Sequence, residues 1–285
     1  MEIKASQVKE LRDMSGVAMM ECKKALVECE GDLEKALDLL RSNSSLKAEK
    51  KATRVAADGL IRIIKNNDYA TIVEINSETD FAAKDAGFLA FADEVSSFIS
   101  ENKIKDISEL SSGEIEDKRL SLIQTIGENI QLRRIHTIDF DSSMSVGSYL
   151  HSDGKLATLV VIDSSDEELA KDIAMHVAAS NPLCKSPNEI DKDILEREKS
   201  IFEAQAQESG KDEAIMGKMI EGKIKKFLAE VSLTSQSFIK DPDLTVEKLL
   251  SEKGADVVDY IRFKVGEGIE VESKSFADEV AEQLK

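Results

Sequence analysis

The spacing of apolar residues predicts three short helices at the start of the chain. The first, residues 5–14, places Val8 and Leu11 on one face before Ser15-Gly16 interrupts the pattern. A second helix over about 18–30 ends at Gly31, and a third short helix carries a stripe of Leu33, Ala36, Leu37 and Leu40. Three short helices this close together predict a small bundle.

Beyond residues 42–54, a polar stretch typical of a linker or an exposed helix, the period changes to that of strands. Apolar β-branched runs at 60–64 and 70–75 flank the turn-forming Asn66-Asn67-Asp68, which predicts a hairpin. The elements expected next are a helix over about Asp80–Ser100, a helix over Ile115–Thr125 and a strand over Gln131–Ile138.

This hairpin-and-helix pattern recurs further along the chain. Residues 70–77 align with 157–164, an offset of 157 − 70 = 87, and at that same offset Ala83-Lys84-Asp85 matches Ala170-Lys171-Asp172. A second hairpin would turn at 152–154, and a closing strand near 260–263 echoes the one near 132–135. The alternative is chance similarity, but identities on two elements at one offset favour duplication. The predicted fold class is α+β, with two similar subdomains.

The second copy is interrupted by two long helical segments. Residues 189–208 and 211–231 are predicted to be helices joined at Ser209-Gly210 and packed as an antiparallel hairpin. The packed face is predicted to contain Ile190, Ile194, Ile201, Ile215, Met219, Ile224 and Phe227. Such a hairpin suits self-association or partner contact, and an ordinary pair of core helices fits equally well.

Charge narrows the classes of partner. The 285 residues include 38 basic and 56 acidic side chains, for a net charge of −18, which works against binding a phosphate backbone. Residues 1–54 carry 11 basic and 10 acidic groups, whereas residues 55–143 carry 9 and 17. The 41% of hydrophobic residues predicts a folded protein with a core. Because only 5% of the residues are aromatic and none is Trp, binding of nucleic-acid bases by stacking is not expected.

Cysteine usage and hydropathy indicate the compartment. Cys22, Cys29 and Cys184 are odd in number and form no closely spaced ligand pair, which is typical of a reduced, cytosolic protein. The start has no apolar leader region, and no window approaches the length of a membrane span. We therefore expect a soluble, cytoplasmic protein.

Enzymatic motifs are absent from the sequence. His136, His151 and His176 are far apart, and the chain has no phosphate-binding loop, dinucleotide fingerprint, nucleophile elbow or H-E-x-x-H pair. No catalytic residue, metal ligand or cofactor is predicted. Two rival classes remain: an acid–base or metal-dependent enzyme, which needs His151 beside several carboxylates in a closed pocket, and a scaffold that assembles through the helical hairpin.

Phe81 distinguishes the first copy from the second. It lies in Glu78-Thr79-Asp80-Phe81, where the strand gives way to a helix, and the equivalent stretch 165–168 is entirely polar. Thr79 or Asp80 would make an ordinary N-cap. The ring is either a hydrophobic staple on the helix or an exposed group, and the repeat comparison leaves both open.

Two stretches of the chain resemble the signature stretches of the bacterial elongation factor Ts family. They are Leu11-Arg12-Asp13-Met14-Ser15-Gly16-Val17-Ala18-Met19-Met20-Glu21-Cys22-Lys23-Lys24-Ala25-Leu26 and Glu74-Ile75-Asn76-Ser77-Glu78-Thr79-Asp80-Phe81. Further family landmarks are seen at 56–59, 84–88, 126–129 and 263–268. Two departures are Ala82, where the family commonly has Val, and Met14, where it commonly has Thr.

The resemblance implies an architecture that agrees with the residue patterns. Residues 1–54 would form a ubiquitin-associated-like three-helix domain. Residues 55–143 and 144–263 would form core subdomains with antiparallel sheets, the second carrying an antiparallel coiled-coil insert at 187–231. Residues 264–285 would form a C-terminal module, whose helix would start near Phe276.

The resemblance also implies a function, exchange of guanine nucleotide on elongation factor Tu, a GTPase. It implies that Thr79, Asp80, Phe81 and Ala82 intrude near the partner's Mg²⁺ and nucleotide, with Phe81 as a wedge and Asp80 perturbing the metal's surroundings. The residues implied in further contact or its support are Lys23, Ile126, Gly127, His151 and Ile239. No direct nucleic acid or membrane partner is implied, and the insert leaves a homodimer or heterotetramer open.

Overall fold

Three helices form the N-terminal bundle in the computed structural model, which describes residues 3–208 and 212–270. They are α1 (Ala5–Ser15), α2 (Met19–Glu28) and α3 (Leu33–Lys51). Gly16, at φ 67°, ends α1 in the left-handed region, and the Asp32 carboxylate caps α3 by accepting from the Lys35 N–H. Leu11 and Leu26 are fully buried between the helices. The predicted bundle is confirmed.

The third helix is longer than the sequence indicated. It continues through the serine-rich stretch and ends at Lys51. Within that stretch, the hydroxyls of Ser42 and Ser44 donate to the carbonyls of Leu39 and Arg41. Of the two interpretations of that stretch, the helix is correct over residues 42–51, but Ser44 and Ala48 are buried, so it is not exposed throughout. Ala48 is buried in the core of the first sheet, so α3 connects the bundle to that core.

The first sheet is antiparallel, with strand order β1-β2-β3. Its strands are β1 (Asp58–Lys65), β2 (Tyr69–Ser77) and β3 (Gln131–Asp139). The Asn66 N–H donates to the Tyr69 carbonyl across the predicted turn, at 2.9 Å. Helices α5 (Ala86–Asn102) and α6 (Glu114–Ile126) cover one face of this sheet. The predicted hairpin, the helix over Ile115–Thr125 and the closing strand are confirmed.

The single helix predicted over Asp80–Ser100 is wrong, because the chain forms two helices there. A one-turn helix, α4 (Asp80–Ala83), ends before Asp85, whose backbone is extended at φ −62° and ψ 138°. The Asp85 carboxylate accepts from the Gly87 N–H at 2.8 Å and starts α5. The local cap therefore overrides a continuous apolar period.

The second sheet has the same construction, with order β4-β5-β8. It contains β4 (Ser145–Leu150), β5 (Leu156–Ile162) and β8 (Val257–Lys264), with α7 (Glu167–Ser180) packed on it. A small hairpin, β6 (Ser237–Phe238) and β7 (Asp241–Thr245), and α10 (Val246–Lys253) precede β8. Register shifts occur between Glu74 and Ile75 in the first sheet and between Val161 and Ile162 in the second, the same offset of 161 − 74 = 87. The two central strands therefore share an irregularity as well as a position.

The insert contains two helices, α8 (Lys192–Glu208) and α9 (Glu213–Val231), which pack against one another. The joint predicted at Ser209-Gly210 lies outside the described residues. The predicted face is wrong for Ile194, Ile201 and Ile215, which are exposed. In α8 the inward stripe instead contains Phe202 and Ala206, and the Phe202 ring meets the Phe227 ring at 6.4 Å between centroids. A stripe displaced by one residue is rotated by about 100° around the helix.

The two sheets pack face to face. Ile61 and Ile72 of the first sheet share a core with Leu159, Val161 and Phe263 of the second. Every residue of β2 is consequently buried, which explains why the strand has apolar residues on both faces.

A buried carboxylate reinforces this interface. Glu74 is fully buried and accepts from Arg133 at 2.9 Å, from Arg134 at 2.6 Å and from the Gly266 N–H at 2.9 Å. The Arg134 guanidinium lies 4.0 Å from the centre of the Phe263 ring. The end of β8 is thus held against the first sheet by a cation–π contact, and the segment after it by the hydrogen bond from the Gly266 N–H to the Glu74 carboxylate.

The predicted helix near Phe276 lies outside the described residues, as does most of the 264–285 module. None of the helices in the described part of the chain is both long and apolar enough to cross a membrane.

Candidate partner-binding site

Phe81 lies on the solvent side of α4, with 81% of its surface exposed. The next two residues of the same turn, Ala82 and Ala83, are buried against the sheet. An exposed ring of this kind contradicts the hydrophobic-staple interpretation, because a staple would cover the ring. The fold leaves this apolar group free to contact another molecule.

Thr79 fixes the start of α4. Its hydroxyl accepts from the Ala82 N–H at 3.3 Å, which makes it the N-cap. The Thr79 N–H and hydroxyl in turn donate to the two carboxylate oxygens of Glu128, at 2.9 and 2.7 Å. Glu128 was not predicted as a site residue. The contact joins positions 49 residues apart, and the sequence pointed to Glu128 only as part of the family landmark at 126–129.

Asp80 is paired within the same turn. Its carboxylate accepts from the Lys84 ammonium at 2.7 Å, and this hydrogen bond lowers the pKa of Asp80 below its ordinary value. The same bond raises the pKa of Lys84. Asp80 therefore carries a negative charge beside the exposed ring throughout the neutral range, partly balanced by Lys84.

The loop before Thr79 is held by a second set of polar contacts. The Glu78 carboxylate accepts from the Asn129 N–H at 2.6 Å and lies 3.5 Å from the Arg54 guanidinium. The Asn129 side chain donates to the Arg54 carbonyl at 2.8 Å. The end of β2, the junction after α6 and the segment after α3 thus meet at one point.

His151 lies close to Asp80, although 71 residues separate them along the chain (151 − 80 = 71). Both line a groove of about 300 Å³ between the two sheet units, together with Lys84, Leu150 and Lys155. The fold therefore brings Asp80 of the Thr79–Ala82 stretch and His151 to one groove, and adds Leu150, which the sequence did not indicate.

This groove is not the closed acid–base pocket that an enzyme would need. His151 is 47% exposed and pairs with Asp153 at 2.9 Å. Asp80 is occupied by Lys84, and Lys155 pairs with Asp58. Within residues 3–208 and 212–270, no three His, Cys, Asp or Glu side chains are grouped as metal ligands.

Ile126 and Gly127 lie at the end of α6, directly before Glu128 in the chain. Ile126 packs partly buried against the first core, and Gly127, at φ 88°, ends the helix. The left-handed turn at Gly127 directs the chain into Glu128 and Asn129. The end of α6 thus leads directly into the two residues that contact the loop before α4.

Lys23 and Ile239 do not line the groove. Lys23 is exposed on α2, where Met20 and Val27 are also exposed. Ile239 is exposed at the turn between β6 and β7, and its N–H donates to Nδ1 of His176 at 3.3 Å. These two residues mark surfaces outside the groove.

Comparison with known proteins identifies close relatives of the chain. A family model described as Elongation factor TS matches residues 78–267. Elongation factor Ts of Hahella chejuensis is 50% identical over 99% of both chains. The proteins of the same name from Saccharophagus degradans and Francisella tularensis subsp. novicida are 49% and 48% identical over at least 98% of each chain.

Proposed function

The chain belongs to the elongation factor Ts family of translation elongation factors, and from this premise we propose that it promotes GDP release from elongation factor Tu. It does so without covalent chemistry, as a guanine-nucleotide exchange factor. The proposal agrees with an acidic surface that disfavours RNA and leaves protein contact as the mode of action.

The observation that carries the proposal is the exposed ring of Phe81 on an anchored one-turn helix. An apolar ring offered to solvent on a rigid support is the arrangement expected of a group that inserts into a partner. Phe81 acts as the wedge near the Mg²⁺ site of the GTPase. Thr79 and Ala82 hold its turn, and Asp80 brings a negative charge towards the surroundings of the metal.

The mechanism is a coupling between two binding events. A GTPase holds GDP through backbone amides and a Mg²⁺ ion on the phosphates. An exchange factor that binds the nucleotide-free form more tightly weakens GDP by the same factor. A differential of about 5.5 kcal/mol shifts a two-state population from 1:99 to 99:1, so a few well-placed contacts are enough.

Other surfaces hold the partner while the wedge acts. The N-terminal bundle contacts the GTPase domain through Lys23 and its exposed apolar neighbours. His151 and Ile239 contact the partner from the second sheet unit, and Ile126 and Gly127 support the first. Asp80 and His151 line the same groove, which supports a continuous contact surface between the Thr79–Ala82 stretch and His151.

The domain organisation follows the family. Residues 1–54 act as a ubiquitin-associated-like domain, 55–143 and 144–263 as the two core subdomains, and 264–285 as a C-terminal module. The α8–α9 hairpin within 187–231 is a short coiled coil, supported by the Phe202–Phe227 contact at its centre. The protein acts in the cytoplasm, where translation takes place.

Release of a fluorescent GDP from elongation factor Tu, measured by stopped flow, tests the proposal. Phe81→Ala should slow release by about 30-fold, because truncating an aromatic anchor at an interface costs about 2 kcal/mol or more. Val258→Ala, which shortens an exposed apolar side chain on β8 outside the groove, is the matched control and should release GDP at the parent rate. Parent-like release by a folded Phe81→Ala protein would refute the wedge.

A further inference from the structure

The carboxylate of Glu128 holds both the backbone and the side chain of Thr79. One oxygen accepts the Thr79 N–H at 2.9 Å and the other accepts the Thr79 hydroxyl at 2.7 Å. Hydrogen bonds to an ionised group are shorter and stronger than neutral ones, and two of them to one residue also fix its orientation. Thr79 is thereby fixed relative to the end of α6.

Thr79 passes this constraint on to the helix that carries Phe81. Its hydroxyl accepts from the Ala82 N–H, and its carbonyl accepts from the Ala83 N–H at 3.2 Å. A helix of four residues is far too short to be stable by itself. The orientation of α4, and so of the Phe81 ring, depends on the residues that anchor its first turn.

The neighbouring residues bond in the opposite direction. Glu78 accepts from the Asn129 N–H at 2.6 Å, while Glu128 accepts from Thr79. Two consecutive residues of one segment therefore exchange hydrogen bonds with two consecutive residues of the other. Because these bonds pair Glu78 with Asn129 and Thr79 with Glu128, sliding one segment along the other would break both sets.

We propose that Glu128 is a positioning residue for nucleotide exchange, which acts by holding Thr79 so that Phe81 is presented in one orientation. The inference rests on the proposed exchange function. A wedge that is already oriented loses less conformational entropy on insertion than a mobile one. Glu128 itself need not touch the GTPase, and docking through the other surfaces does not require it.

The kinetic signature follows from that division of roles. Glu128→Ala should lower the maximal rate of GDP release by about tenfold, while the concentration that gives half-maximal release stays within about twofold of the parent value. Tenfold corresponds to about 1.4 kcal/mol. Glu128→Gln, which keeps one acceptor oxygen, should fall between the two proteins. A loss confined to the half-maximal concentration would contradict a positioning role.

The two hydrogen bonds from Thr79 to Glu128 are called the clamp below. Two further variants separate the effect of the clamp from the effects of net charge and of stability. Glu101→Gln removes the same charge from an exposed glutamate at the end of α5, whose side chain makes no hydrogen bond or ion pair with the described residues, and should behave as the parent. Thr79→Val removes the hydroxyl that donates to Glu128 and should resemble Glu128→Ala. If Glu101→Gln slows release as much as Glu128→Ala, net charge explains the effect and the inference is wrong.

A double mutant tests whether Glu128 acts through the ring. In a Phe81→Ala background, Glu128→Ala should cost less than twofold more, because no ring remains to be oriented. Independent, multiplicative losses would show that Glu128 acts by another route.

Amide hydrogen exchange in the isolated chain tests the clamp without the partner. Glu128→Ala should accelerate exchange at Thr79, Ala82 and Ala83, where the clamp and cap hold the amides, and leave α5 unchanged. Unchanged protection at those three amides would overturn the clamp whatever the GDP assay gives. Conversely, a Phe81→Ala protein with parent activity would refute the proposed wedge while these amides still report on Glu128.

Discussion

At the scale of single residues, surroundings decide what an aromatic side chain does. Phe81 and Phe88 are seven positions apart, yet Phe88 is fully buried in the first core and Phe81 is exposed. Phe88 lies on the face of α5 that packs against the sheet, and Phe81 lies on a turn whose sheet-facing positions are already filled by Ala82 and Ala83. The sequence singled out Phe81 because the second copy has no counterpart.

Asp80 and Phe81 should contribute unequally to exchange. Asp80→Ala is expected to slow GDP release by less than Phe81→Ala, because the Asp80 carboxylate is exposed and already paired with Lys84, so its charge is screened. Stopped-flow release at 50 and 300 mM salt would rank the two variants, with Asp80→Asn as a shape-preserving control. The reverse order would make the mechanism mainly electrostatic.

At the scale of elements, helix caps and neighbours changed several boundaries that periodicity had indicated. The Asp85 cap divides the expected 80–100 helix, and α3 continues through serines that looked like a linker. In the insert, the stripe of Ile194 and Ile201 is as regular as the one used for packing. Which stripe of α8 packs inward depends on the facing helix, so the sequence of α8 alone could not predict it.

The β6–β7 hairpin depends on a buried histidine. His176 is fully buried, its Nε2 bonds to Gln236 Oε1 at 2.9 Å, and its Nδ1 accepts from the Ile239 N–H. These bonds require the neutral ring with the proton on Nε2. Burial lowers the pKa of His176 below its ordinary 6.5.

Acid should therefore destabilise this unit. Below about pH 6.5 the unfolded chain takes up a proton at this position that the folded chain does not, so the free energy of unfolding falls as the pH drops. Urea unfolding of the parent and of His176→Gln, each at pH 7.5 and 5.5, measures this. The free energy of unfolding should fall less from pH 7.5 to pH 5.5 in the variant than in the parent, each protein being compared with its own value at pH 7.5. Equal losses in both proteins would contradict the assignment.

At the scale of the whole molecule, the interface between the two sheets brings the proposed contact residues Asp80 and His151 to one groove. The Glu74 cluster and the shared apolar core hold the second unit so that the turn carrying His151 faces the turn carrying Asp80. The sequence offered no means of orienting the units. Glu74 and Gly266, which meet at 2.9 Å, are 192 residues apart.

A pair of glycine variants measures this interface. Gly266 and Gly268 both have positive φ, at 72° and 77°, but a Cβ on Gly266 would lie 2.2 Å from the Ala57 carbonyl, whereas one on Gly268 meets nothing within 4 Å. Gly266→Ala should therefore destabilise the protein by about 1–3 kcal/mol more than Gly268→Ala, the difference being overpacking at equal backbone strain. Urea unfolding of the two variants gives that difference directly. An equal loss of stability in the two variants would show that the backbone around Ala57 moves away from the new Cβ without a measurable free-energy cost.

By itself the sequence determined the elements and the kind of molecule. Apolar period, turn residues and the 87-residue offset were enough for the bundle, the two hairpin-and-helix units and the helical insert, because these signals are local. The contrast between the two copies, together with the family motifs, was enough to single out Phe81 and its turn as the candidate site. Only the tertiary structure decided that Phe81 is exposed, that Glu128 holds Thr79, and that His151 shares a groove with Asp80. Each of these depends on residues far apart in the chain, whose contacts are fixed by packing and buried charge rather than by any local pattern.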